Sequence, residues 1–324
     1  MIHVLCLNPA LDHLLIINEL YLDAVNRAAW SISTPGGKGI NVARAIKTVG
    51  GEPLLHLFLG GMIGRKIGRA LNKEIISFRA WPVEGETRIT TVLHERLQKR
   101  HTVINVPGPP VRLSVIDRFY RFLDEIMMEG DYLVLSGSLS PGMRRDLYGC
   151  LMEMSTQKKV LSILDSSGDA FKWAFHFAPF MIKPNVEEAQ EALGFPIRSL
   201  PDKVRAVREF RQKGVALVVL SDGPRGLVVG WESGVFFVSW PEEVKGGEYY
   251  IGSGDSMVGA LVERLSRGLS VCEAVRFAAA CGLANTFSPG AGFFDMNLAD
   301  RLYRGITMTP VTGCERSVPD GSNH

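Results

Sequence analysis

Apolar runs of strand length recur along the chain and alternate with amphipathic stretches of helical period. "IHVLCLN" comes first. "GINVARAIKTVG" follows, with apolar residues at Ile40, Val42, Ala43, Ile46 and Val49 and a stop at Gly50 and Gly51, and "PLLHLFLGG" precedes the helical "GRKIGRALNKEI". "DYLVLSGSL", "KVLSILDSSG", "PFMIKPN" and "ALVVLSDGPRG" continue the series, each ending in Gly, Ser, Asp or Asn and each but the last running into a helical pattern. The last leads into "PRGLVVGWESGVFFVSW", which has the pattern of hairpin strands. Such alternation predicts an α/β fold with a mostly parallel sheet covered by helices on both faces.

Two stretches break the rhythm. "LDHLLIINELYLDAVNRAAWSIST" and "GETRITTVLHERLQKRHTVINVPG" are strand-like pairs with polar residues interspersed, placed before and after the first strand–helix–strand unit. They are expected either to form one small sheet projecting from the body or to be decorated loops; spacing admits both. No fixed-period repeat is present. The tail 311–324, "VTGCERSVPDGSNH", is polar and turn-rich and is expected to be disordered.

At 324 residues the chain can bury a sizeable core. With 36 basic against 34 acidic residues, the net charge of +2 leaves no excess to neutralise a nucleic-acid backbone, so no nucleic-acid partner is expected. The five cysteines are scattered without a CxxC pair, which suits buried thiols in a reducing compartment. The N-terminus has the character of a first strand rather than a signal peptide, and no apolar run approaches a membrane span. A cytoplasmic protein with no membrane association is the expectation.

In open α/β sheets ligands bind at the carboxyl ends of strands, where the polar clusters of this chain fall. "TPGGKGINVARAI" sets Gly36, Gly37 and Gly39 around Lys38 at a helix start, without the spacer of a Walker A loop. Most such clusters are tight turns. The functional reading is that Gly37 admits a ligand to the backbone, Lys38 meets a phosphate and Asn41 meets a sugar hydroxyl. "IGSGDSM" places Gly252, Ser253, Gly254 and Asp255 where another helix begins. Helix N-terminal amides favour anions, glycines allow a backbone nest, and Asp255 would take a proton from an attacking hydroxyl. An N-capping Asp explains the carboxylate equally well, though it makes no use of the second glycine or of Ser253. In "IKPNVEEAQEAL", Asn185 and Glu188 suit either a capping box or Mg²⁺ held through water, with Lys183 just before them. "LSDGPRG" (Ser221, Gly223, Gly226) is a turn first and a nucleotide contact second.

Together these residues resemble a known family. "GGKGINVARAI" with "GSGDSMVGA" is similar to the paired signature of the PfkB, or ribokinase-like, sugar kinases, and "LSGSLSPGM", "LDSSGDAF" and "KPNVEEAQEALG" stand between them in the family's order. "LNPALD" and "GETR" narrow the resemblance to the phosphosugar kinase branch of 1-phosphofructokinase, tagatose-6-phosphate kinase and minor 6-phosphofructokinase. The resemblance implies a ribokinase-like three-layer αβα sandwich over 1–310, with a β-sheet lid from about 11–34 and 86–106 and a homodimer formed through the lids. It implies ATP as co-substrate, Mg²⁺ as cofactor and a sugar phosphate as acceptor. By position, Asp255 matches the base and Gly252, Ser253 and Gly254 the anion hole. Asp12, Arg27, Gly37, Lys38, Asn41, Arg88 and Ser138 match sugar-phosphate contacts. Lys183, Asn185, Ser221, Gly223 and Gly226 match the nucleotide side, and Glu188 matches the residue that organises Mg²⁺.

Three positions depart from the pattern. The family's Thr-x-Gly-Ala-Gly-Asp is here "YIGSGD", with Tyr250 for a small hydroxyl residue and Ser253 for Ala, and Asp222 stands where Leu is usual. Bulk and negative charge near a triphosphate favour a rival expectation: a non-catalytic sugar-phosphate-binding or regulatory protein on the same scaffold. A dinucleotide-binding oxidoreductase is disfavoured, because no GxGxxG follows the first strand.

Overall fold

The computed structural model describes residues 1–241, 244 and 247–311; the tail beyond Val311, expected to be disordered, lies outside the described residues. In chain order the described strands are β1 (Ile2–Cys6), β2 (Ala10–Ile17), β3 (Trp30–Gly36), β4 (Pro53–Leu59), β5 (Ser77–Pro82), β6 (Arg88–Glu95), β7 (Arg100–Ile104), β8 (Tyr132–Ser136), β9 (Leu161–Asp165), β10 (Met181–Ile182), β11 (Leu217–Ser221), β12 (Leu227–Trp231), β13 (Gly234–Ser239) and β14 (Thr307–Pro310). The helices are α1 (Lys38–Thr48), α2 (Gly61–Lys73), α3 (Leu113–Ile126), α4 (Leu147–Gln157), α5 (Gly168–Ala174), α6 (Val186–Leu193), α7 (Leu200–Gln212), α8 (Ser253–Ser266), α9 (Val271–Asn285) and α10 (Met296–Tyr303).

The large sheet runs β14-β13-β12-β11-β10-β9-β8-β1-β4-β5. Neighbours from β5 to β11 are parallel, and β12, β13 and β14 add an antiparallel edge that contains the hairpin read from "GLVVGWESGVFFVS". A parallel sheet is covered on both faces, which is why its strands are unbroken apolar runs. Strand β1 shows it residue by residue. Ile2, Val4 and Cys6 join the core shared with α1, α8 and α9, whereas Leu5 and Leu7 join the opposite core with α3, α4 and α7. This is the expected helix–sheet–helix sandwich.

The two irregular stretches pair as one four-stranded sheet, β3-β2-β6-β7. Its hairpins are antiparallel, and they join through parallel β2 and β6, with Ala10 opposite Arg88 and Asp12 opposite Thr90. Period-2 polarity thus marks a sheet with one sheltered face.

One polar chain crosses the apolar sheet. His3 on β1 lies 3.3 Å from both His56 on β4 and Asp131 just before β8. His56 is wholly buried against Phe119 and Phe122. Burial, then His3 and Arg79, lower its pKa to about 3. A histidine kept neutral in the fold but free to protonate once unfolded contributes stability that is complete above its ordinary pKa and is lost as pH falls below it. The share of unfolding free energy that His56 contributes is therefore expected to drop by about 2 kcal/mol between roughly pH 7.5 and pH 5, read by urea titration of the parent against His56→Phe. In His56→Phe the overall drop should be smaller; an equally steep loss in the variant would place the sensitivity elsewhere.

Candidate active site

The strands β1, β8 and β9 end side by side at Cys6, Ser136 and Asp165. Above these ends lies a cleft of ≈ 320 Å³. The small sheet lines it with Asp12, Arg88 and Thr90, the start of α1 with Gly37, Lys38 and Asn41, and the start of α8 with Gly252 and Asp255. A larger surface groove of ≈ 470 Å³ along α2 is lined by that helix alone, including Arg65, Lys66, Arg69 and Lys73, and holds none of these groups.

Helix α8 begins at Ser253, and Gly252 before it has φ 83°, a conformation that costs a residue with a Cβ. Asp255 is the third residue of the helix and makes no capping bond. Its carboxylate instead reaches α1, where Asn41 Nδ2 donates to Oδ2 at 2.8 Å. The helix-cap reading of Asp255 is thereby set aside. The other oxygen remains available on the cleft side. Burial, then the nearby Asp165, raise the Asp255 pKa to about 6, against the opposing pull of Lys38, Asn41 and Lys183. A carboxylate tuned upward yet ionised at neutral pH suits a proton acceptor.

Asp165 Oδ1 holds Lys38 Nζ at 3.4 Å and Lys183 Nζ at 3.2 Å. Burial opposes its charge, but the two lysines outweigh burial and keep it ionised. Burial alone would likewise lower Lys38, yet Asp165, Asp255 and Glu188 hold its pKa raised. A Cβ on Gly254 would lie 3.2 Å from Lys183 Nζ, so that ammonium adjoins the first turn of α8. Two cations and a helix N-terminus therefore converge where an anion would be bound.

Three residues to which the sequence assigned no role hold this arrangement. Arg44 is buried on α1, three residues after Asn41. It donates to Asn41 Oδ1 at 3.3 Å, to the carbonyls of Ala291 and Pro35 at 2.8 and 3.0 Å, and in a fork to Glu74 at 2.8 and 3.1 Å. With Asn41 Oδ1 accepting from Arg44, its amide nitrogen is left to face Asp255. Asn285 on α9 accepts from Ser256 Oγ at 2.8 Å and Gly292 N–H at 2.9 Å, and donates to the Ile251 carbonyl at 3.2 Å. It ties the approach to Gly252 to the body. Asp165 was legible as a strand end and within "LDSSGDAF", but with no role attached. An arginine on the apolar face of α1 was the one signal available for Arg44, and the Asn285 contacts left none in sequence.

Along the small sheet, Arg88 donates from Nε and Nη2 to the Asn8 carbonyl at 3.3 and 3.1 Å and from Nη1 to Asn105 Oδ1 at 3.2 Å and to the Val106 carbonyl at 3.5 Å. Of five guanidinium N–H groups, one on Nη2 stays free for a ligand. Asn105 also accepts from Thr90 Oγ1 at 3.1 Å. Asp12 faces Gly36, where a Cβ would meet its carboxyl carbon at 2.0 Å. Burial raises the Asp12 pKa to about 6, partly offset by Arg88 and Arg44. Gly37 caps α1 with φ 101°. Ser138 lines the cleft and accepts from Asn8 Nδ2 at 3.1 Å. Arg27 is exposed between β2 and β3 and is not among the lining residues.

The pfkB family of carbohydrate kinases matches residues 8–297. This chain belongs to that family. The kinase is 30% identical to 1-phosphofructokinase of Bacillus subtilis over 294 residues, 90% of this chain and 94% of that protein. It is 29% identical to tagatose-6-phosphate kinase of Staphylococcus epidermidis over 315 residues, 96% of this chain and all of that protein. A crystal structure of phosphofructokinase-2 from Escherichia coli in complex with substrates and products matches with a TM-score of 0.88 at 28% identity, covering 94% of this chain and 98% of that one. The kinase is thus a phosphotransferase with an alcohol acceptor on the ribokinase-like fold.

Two of the three departures from the family pattern, Asp222 and Tyr250, have specific surroundings in this kinase. Asp222 is buried between Lys203 and Arg225, whose Nε and Nη2 lie 2.8 and 2.6 Å from its carboxylate. Arg225 and Lys203 hold its pKa below the usual range, against burial, so its charge is compensated. Gly223 and Gly226 shape the same turn, with φ 54° and 105°. Ser221 Oγ donates to the Pro184 carbonyl at 3.3 Å, beside a bridge between Ser221 and Asn185. Tyr250 turns its phenol toward the small sheet, where His101 N–H donates to it at 3.2 Å. Asn185 and Glu188 form the capping box of α6, at 2.8 and 2.9 Å. One Glu188 oxygen accepts from Asn185 N–H, and the other has no protein partner among the described residues. That free oxygen suits Mg²⁺ held through water, because Mg²⁺ keeps most of its hydration shell. No group of three or more His, Cys, Asp or Glu among the described residues forms a cage for a metal.

Proposed function

We propose that this kinase transfers the terminal phosphoryl group of ATP to a hydroxyl of a ketohexose phosphate, with fructose 1-phosphate, fructose 6-phosphate and tagatose 6-phosphate as the acceptors to test. The observation that carries this reading is the position of Asp255, held by Asn41 beside the N-terminus of α8, in one cleft with Lys38, Arg88 and Asp12. In the proposed step the acceptor hydroxyl oxygen attacks the γ-phosphorus and its proton passes to Asp255. The bond from phosphorus to the bridging oxygen breaks, and ADP leaves with the electron pair. The amides at Gly252–Gly254 and the Lys183 ammonium face the charge spread over the transferred group. Arg88 and Lys38 hold the phosphate already on the sugar, and Asp12 accepts from a sugar hydroxyl. Lys183, Asn185, Ser221, Gly223 and Gly226 form the nucleotide side. Mg²⁺, when bound, supplies charge neutralisation at the phosphates, with Glu188 as its protein anchor through water.

The relatives named for phosphofructokinase and tagatose-6-phosphate kinase activity support the acceptor class. The reading extends to a cytoplasmic homodimer joined through the small sheet, where Trp30, Ile32, Ile89 and Ile104 are exposed apolar side chains. No helix among the described residues is long and apolar enough to cross a membrane. A coupled assay of ADP release over the three acceptors tests the activity, and sedimentation tests the dimer. One acceptor should be turned over far faster than the others. A protein that binds sugar phosphate without ADP release would instead be the regulatory one, a reading that the Tyr250 phenol, turned toward the small sheet, and the paired Asp222 leave without its original support.

A further inference from the structure

The strap Tyr249–Ile251 runs between the small sheet and the body immediately before Gly252. On its body side, Tyr249 N–H donates to the Thr286 carbonyl at 2.9 Å and Asn285 Nδ2 to the Ile251 carbonyl at 3.2 Å. On its other side, Tyr249 and Ile251 pack on Leu14, Ile16 and Val92, the sheltered face of β2 and β6. His94 and His101 face each other across β6 and β7, with ring centroids 4.5 Å apart. The Tyr249 ring lies 5.0 Å from His94, and the Tyr250 ring meets His101 edge-on at 4.5 Å. The Tyr250 phenol oxygen also accepts the His101 N–H.

Tyr250 has a second engagement through its carbonyl, which accepts from Ser253 Oγ at 2.8 Å and Ser253 N–H at 3.3 Å. Ser253 is the first residue of α8. One residue thus grips the small sheet with its side chain and the first turn of the anion hole with its backbone. Strands β2 and β6 of the same sheet carry Asp12, Arg88 and Thr90 in adjacent register, and β7 pairs with β6. Tyr249 and Ile251 also touch the small sheet, but Tyr250 alone of the three bonds directly to the first residue of α8 as well. A smaller side chain at this position, such as the Thr usual in the family pattern, would not span the gap to β7.

We propose that Tyr250 is a positioning residue that couples the acceptor site on the small sheet to the anion hole at the start of α8, so that acceptor and nucleotide bind cooperatively. The inference rests on the phosphosugar kinase reading above and adds to it a coupling specific to this chain. The histidine surface beneath the tyrosines suits the role. Three ring nitrogens, His94 Nδ1 and Nε2 and His101 Nδ1, are buried without a hydrogen-bond partner among the described residues, and Glu248 lies 4.0 Å from His94 Nε2. Burial lowers the pKa of both residues, and His94 adds to the lowering of His101, which falls to about 4, so both present neutral rings at physiological pH.

The test is calorimetric. Binding of a non-hydrolysable ATP analogue is measured with and without the acceptor chosen by the coupled assay, in the parent and in Tyr250→Thr, His101→Ala and the double variant. At 49% exposure Tyr250 can be replaced without opening the core, and thermal melting checks this. The parent acceptor should tighten analogue binding about tenfold, within the usual range of coupling between sites. In Tyr250→Thr the enhancement should shrink to less than about twofold while either ligand alone binds within about threefold of the parent. His101→Ala should lose part of the enhancement, and the double variant should lose no more than Tyr250→Thr, as expected of two residues acting as one contact. Parent-level cooperativity in Tyr250→Thr, or independent binding in a parent enzyme that turns over, overturns the coupling and leaves the kinase reading intact. A parent that binds neither ligand overturns both.

Discussion

Asp255→Asn should lower kcat by about 10²–10⁴-fold, the usual contribution of a general base, while sugar-phosphate affinity stays within about threefold. Asn is nearly isosteric, and its amide oxygen can still accept from Asn41, so the α1–α8 contact survives. What disappears is the negative charge and the proton acceptor. The substitution also removes a charge that burial and Asp165 disfavour, so the variant should fold normally. In the parent, kcat/KM should decline as pH falls through about 6, because Asp255 must be ionised to accept a proton. Asp12 also carries a pKa of about 6 and contributes to the same limb. Rates from the coupled assay and titrations by calorimetry separate turnover from binding. Near-normal turnover in the variant would reduce Asp255 to a structural link between two helices.

Arg88→Ala should weaken binding of the sugar phosphate by roughly 10–100-fold, the usual worth of a charge-assisted hydrogen bond, and binding of the unphosphorylated sugar by no more than about threefold. The guanidinium is oriented on the β2–β6 pair by the Asn8 carbonyl and by Asn105 before it meets any ligand, so little ordering is left to lose on binding. Arg88→Lys should fall in between, since it keeps the charge but not the fork. Nucleotide affinity measured without acceptor should not move. Equal weakening of both sugars would show that Arg88 supports the small sheet and does not read the phosphate.

Much of the fold was legible. Unbroken apolar runs identified the parallel strands, the hairpin after "LSDGPRG" appears as β12 and β13, and the two stretches left open between a small sheet and decorated loops form the small sheet. Motif glycines were legible because Gly37 and Gly252 adopt backbone angles that favour glycine. The partners of those motifs were not. Asn41 and Asp255 are 214 residues apart, Lys38 and Asp165 are 127 apart, and Arg44 reaches Ala291 across 247.

The bulk of Tyr250 and the charge of Asp222 were visible in the chain, but whether they obstruct a nucleotide depends on the phenol's direction and on neutralisation by Lys203 and Arg225. Sequence by itself determined the period of each element, the places where strands end in small polar residues, and the two glycine turns that open α1 and α8. These follow from backbone sterics and local hydrophobic alternation, which act over a few residues. Only the tertiary structure decided that Asp255 turns to Asn41 instead of capping its own helix, that Asp165 holds two lysines together, and that Tyr250 touches both the small sheet and the first residue of α8. Hydrogen bonds act at about 3 Å and burial needs groups on every side, so these outcomes exist only once distant segments have been packed together.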